Sequence, residues 1–127
     1  MIIAAVRLLI ALPLACLACN SRVSAQADPA EVEAIARFVQ AGDVAALEER
    51  FRGGRTSEEL RLLAAAQTIR AAGARDDKSR QREFELAQVR YLAWIDFIER
   101  DSNADRLVRD IERGRARLAL AEMILTR

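Results

Sequence analysis

The stretch "FELAQVRYLAWIDFI", residues 84–98, decides the fold. Phe84, Ala87, Tyr91, Trp94 and Ile98 are separated alternately by three and four positions, which is the spacing of one face of an α-helix. Leu92, Ile95 and Phe97 broaden that stripe. The pattern predicts a helix over roughly 77–100 touched on more than one side, the central member of a bundle. The aromatic group Tyr91, Trp94 and Phe97 invites a ligand-pocket reading, but aromatics at helical spacing belong in a core. Asp96 is the single charge within 91–98. A carboxylate stranded at the edge of a core is one recipe for a general acid, and Arg100, one turn on, is the partner expected to keep it ion-paired.

Punctuation marks four more helices around this one. "DPAEVEAIARFVQAG" (28–42) opens with Asp28 as N-cap, Pro29 at the first helical position and Glu31 in the first turn. Val32, Ile35, Ala36 and Val39 form its stripe, and Gly42 supplies the stop. Asp43 caps a short helix, "VAALEERF", ended by Gly53 and Gly54. Thr56 and Glu59 form a capping box for a helix running to about Gly73, with Leu60, Leu62, Leu63, Ala66 and Ile69 inward. The last helix, about 104–126, spaces Leu107, Ile111, Gly114, Leu118, Ala121 and Leu125 by four and three, which reads as an inward bundle seam. No segment alternates with period two, so no strand is expected. The fold expected is all-α: a compact bundle of four to five helices, two short and three longer.

Two stretches carry candidate sites. "DSNADRLVRDIE" (101–112) places Asp101, Asn103 and Asp105 at alternate positions, with Val108 eighth and Glu112 twelfth, close to the ligand pattern of an EF-hand calcium loop. Arg106 stands where that loop needs Gly, and there is no second such loop to pair with it. The stretch is therefore read as a helix–helix turn, with Ser102 or Asn103 as N-cap, Asp105 in the first turn and Glu112 on an outer face. At the far end, "LALAEMIL" (118–125) holds Glu122 as its one charge. Leu120, Met123 and Ile124 lie off the Leu107–Leu125 stripe, so they are either enclosed by the other helices or candidates for an interaction surface, toward a partner or a second copy.

The start of the chain is a targeting segment. Arg7 precedes an apolar run, "LLIALPLACLA" (8–18), within the signal-peptide range of ~7–15 residues and short of the ~20 needed to span a bilayer. Small residues at the right spacing place cleavage after Ala25 or Ala27, leaving 28–127 as one helical domain. Lipidation at Cys16 or Cys19 is the alternative, a membrane-anchored lipoprotein, although neither cysteine has the usual residues before it.

Composition removes whole chemistries. The chain has no histidine, and its two cysteines both precede the cleavage sites. His-based triads, His-ligated zinc or haem and a disulfide framework are excluded for the mature chain. The net charge of +1 and the even spread of arginine give no nucleic-acid footprint. No cofactor is implied. The function expected is that of an exported module, periplasmic or secreted, non-enzymatic, binding another protein or an envelope component, with no transmembrane helix in the mature chain. The second reading is a metal- or small-ligand-binding module using 101–112, and the third is an enzyme built on carboxylates.

Overall fold

The computed structural model describes residues 28–52, 55–101 and 105–127. The expectations for residues 1–27, for Gly53 and Gly54, and for Ser102 and Asn103 lie outside the described residues. Five helices follow in order: α1 Pro29–Ala41, α2 Val44–Arg50, α3 Ser57–Ala72, α4 Asp77–Arg100 and α5 Arg106–Thr126. No strand occurs among the described residues. The fold is all-α, with two short helices and three longer ones.

Local chemistry sets the helix ends. The Asp28 side chain accepts from Ala30 N at 3.0 Å, and Pro29 opens α1. At the other end, Gly42 N donates to Val39 O at 3.0 Å and Asp43 N to Phe38 O at 2.9 Å. These are the paired bonds of a Schellman motif, which needs the left-handed conformation that Gly42 adopts at φ 66. The Thr56–Glu59 capping box is complete at the head of α3. Asp76 caps α4 through Ser79 N at 2.8 Å, an interaction that holds its carboxyl below the ordinary carboxylate range.

Packing is sequential. Val39, Val44, Leu47, Leu62, Leu63 and Ala66 bury together and join α1 and α2 to one side of α3. Leu60, Ala64 and Ala71 form the other side of α3, buried with Phe84, Ala87, Tyr91, Trp94 and Ile98 of α4 and with Ala116 and Met123 of α5. The five residues of the 84–98 stripe are all buried, as their spacing predicts. The central helix, however, is α3 and not α4. Alanine and leucine are distributed around α3 with no polar face wide enough to meet water, so it packs on both sides. By contrast Leu92, expected to broaden the α4 stripe, is exposed, as are Leu86 and Val89.

The largest departure concerns α5. Its expected inward seam faces out: Leu107, Ile111, Leu118 and Leu125 are 66%, 49%, 61% and 84% exposed. The helix turns Arg109, Glu112, Arg113, Ala116, Ala119, Leu120 and Met123 toward the bundle instead. The polar half of this face finds partners. Arg109 Nη2 donates to Asp101 O at 2.8 Å, Glu112 accepts from Ser57, and Arg113 pairs with Glu99 at 3.4 Å. The apolar half is small at Ala116, which lets α5 approach α4 closely, and Met123 fills what remains.

Candidate functional site

Among the described residues of the 101–112 stretch, Asp101, Asp105 and Glu112 are not grouped so as to hold a metal ion. Asp101 ends α4, its N–H bonded to Phe97 O and its carbonyl oxygen taken by the Arg109 guanidinium. Asp105, not Ser102 or Asn103, is the N-cap of α5, accepting from Leu107 N at 3.2 Å. Glu112 faces the bundle rather than the outside. Trp94 Nε1 donates to Ser57 Oγ at 2.9 Å, and Ser57 Oγ lies 3.4 Å from Glu112 Oε2 as donor. That chain ties α4, α3 and α5 together at one end of the bundle. Asn103 lies outside the described residues, among which no group of three or more acidic, histidine or cysteine side chains is placed to hold a metal ion.

A polar network that the sequence did not signal lies farther along α3, again between α3 and α4. Gln67 is buried, the one such polar residue in the described core. Its Oε1 accepts from Arg90 Nε at 3.2 Å and its Nε2 donates to Glu83. Arg90 continues to Glu48 at 2.7 Å, and Glu83 to Arg70 at 3.3 Å. A glutamine between leucines and alanines gives no warning of this role, because its partners lie 16 and 23 residues away on another helix. Each amide atom of Gln67 is matched, which is the condition for tolerating it in the interior. Asp96 sits on the exposed side of α4 and pairs with Arg100 at 3.2 Å.

Tyr91 is the single tyrosine of the chain. Burial pushes its hydroxyl above the ordinary 10.0; the Thr68 hydroxyl at 3.4 Å pulls it down, Glu122 raises it and Arg61 lowers it. The folded state therefore keeps the proton longer than the unfolded state. The stability that this group contributes is fully present below pH 10 and is lost as pH rises from there through the folded value. Absorbance titration of the phenolate should show a midpoint above 10, and Tyr91→Phe should flatten the alkaline loss of melting temperature. A midpoint at or below 10 would mean that the hydroxyl is hydrated.

The three candidates for an interaction surface separate. Met123 is 3% exposed and belongs to the core, Leu120 packs against that core, and Ile124 alone is exposed. Of the two readings, Met123 is enclosed and Leu120 is partly buried against the core: the face they share with Ala116 is the face α5 presents to α4. The apolar surface that α5 does offer is the ridge of Leu107, Ile111, Leu118 and Leu125, with Val108 and Ile124 on its flanks. No described helix is long and apolar enough to cross a membrane. No protein-family model matches the chain, and comparison with curated proteins and with solved structures finds no match either.

Proposed function

We propose that this chain is an exported, non-enzymatic protein-interaction module whose docking face is the outer side of α5. The observation that carries the reading is the exposure of four large aliphatic side chains in one row along that helix. Single exposed leucines are ordinary on protein surfaces, whereas an apolar ridge several turns long marks an interaction site. The position of the helix adds to this. Stacked helical elements need a polar outer face on their outermost member to stay in solution, and the outer face of α5 carries an aliphatic row between its exposed charges. Export rests on the positively charged start, the apolar run 8–18 and the small residues before Gln26 and Asp28.

A photoreactive residue placed at Leu118 in the cells that make the protein tests both parts. Adducts should form from position 118 and not from Glu49, which is exposed on α2. Mass spectrometry of the adducted chain should find it beginning at Gln26 or Asp28. A chain beginning at Cys16 or Cys19 with added acyl mass would make it a membrane-anchored lipoprotein, and the absence of adducts at 118 would remove the docking face.

A further inference from the structure

The ridge on α5 is patterned as well as apolar. Leu107, Ile111, Gly114, Leu118, Ala121 and Leu125 follow one another at steps of four, three, four, three and four, the repeat of a seam between two helices. Large and small residues are arranged along it so that the row complements itself when reversed. Leu107 meets Leu125, Ile111 meets Ala121 and Gly114 meets Leu118, so each small residue faces a large one. We propose that the occupant of this face is a second copy of the same chain, its α5 laid antiparallel to the first about a two-fold axis level with Ala116. The inference rests on reading α5 as a docking face and names what docks.

Gly114 is the second observation. It lies in the interior of α5, where glycine weakens a helix, and a Cβ built there meets nothing within 4 Å. No contact inside the protomer requires the missing side chain. In the antiparallel pair it is the socket for Leu118 of the second copy.

A parallel pair makes a different compromise. It would set Asp110 near Arg115 and Arg117 near Glu122, all of opposite sign, while stacking glycine on glycine and alanine on alanine. Asp110 and Arg117 already have partners within the protomer, Arg113 at 3.2 Å and Glu99 at 3.5 Å. The antiparallel pair places Arg115 near its own copy and Arg117 near its own copy, an exposed repulsion that salt screens. A filled leucine layer outweighs an exposed ion pair several-fold, so packing decides the orientation.

The ridge is ~27 Å long and one helix of ~10 Å wide, a footprint of roughly 270 Å² per copy. Stable pairs of separately folded proteins bury about 800 Å² per partner, so this pair is weak and reversible, to be sought at the weak end of the affinity scale, roughly 10–1000 µM.

The test uses the protein as recovered from the cells that make it. Its mass by light scattering should rise from monomer toward dimer across that concentration range. Leu118→Glu should weaken association at least tenfold with the melting temperature of the dilute protein unchanged. Gly114→Leu should also weaken it at least tenfold, by filling the socket, while raising that melting temperature. With Cys16 and Cys19 replaced by Ser, Arg117→Cys should join to its own copy through a short bismaleimide linker. Leu107→Cys should not, because its copy lies ~27 Å away. A wild type that stays monomeric to 1 mM overturns the proposal. So does stronger association in Gly114→Leu, or self-linking of Leu107→Cys, since both belong to a parallel pair. A monomeric protein that still forms adducts with another protein from position 118 in cells would remove the second copy and leave the docking face standing.

Discussion

Leu63→Ala is expected to lower the stability of the folded chain by about 2–5 kcal/mol, the range for truncating a buried leucine. Leu63 is 1% exposed and sits among Val39, Val44, Leu47, Leu62 and Ala66. Those residues come from three helices, so the void opens where α1 and α2 dock on α3. Neither short helix can hold its shape alone: isolated helices below ~12–15 residues are marginal in water. The cavity therefore cannot relax by letting one helix shift cheaply, and the loss should fall toward the upper half of the range. In a domain of this size each kcal/mol moves the melting temperature by ~4–8 °C, so a drop above ~10 °C is expected in a thermal melt followed by helical signal. Leu118→Ala, the same change at a 61% exposed site, should alter the melt of the dilute protein by no more than ~0.5 kcal/mol. Equal losses at 63 and 118 would contradict the burial described for both.

Much of the architecture was legible because caps and stops are local. Asp28, Gly42, Thr56 with Glu59, and the alternating three and four spacing of Phe84 to Ile98 each predict a boundary or a face without knowledge of any other element, and the structure places them so. What periodicity could not decide was which neighbour a face meets. The α5 row Leu107–Leu125 has the more regular seam, yet the helix turns the other side inward, because Arg109, Glu112 and Arg113 find partners in Asp101, Ser57 and Glu99. Those partners lie up to 55 residues away, and a pattern on one helix contains no information about them. The same limit hid the Gln67 network. It also leaves enclosure and exposure of Leu120 and Met123 both open in the sequence, because the choice between them depends on which row faces inward.

Gly42→Ala is expected to be the most damaging glycine-to-alanine change among the described residues, costing about 2–5 kcal/mol. Two separate penalties meet there. The residue sits at φ 66, where an L side chain costs roughly 1–2 kcal/mol. Its Cβ would also lie 2.9 Å from Arg70 N and 3.1 Å from Arg70 Cα, main-chain atoms of α3 that cannot swing aside, and overpacking of that kind costs about 1–3 kcal/mol. The same methyl at Gly114 meets no atom within 4 Å and has helical neighbours on both sides, so Gly114→Ala should stabilise the dilute protein by up to ~1 kcal/mol. The two penalties at Gly42 can be told apart with Gly42→Asn. Asparagine tolerates the left-handed conformation better than most residues, so it relieves the first penalty and leaves the second. If the approach of Arg70 dominates, Asn and Ala should melt within a few degrees of each other and far below wild type. Recovery of most of the stability by Asn would instead place the cost in the backbone angle and loosen the contact between the end of α1 and α3.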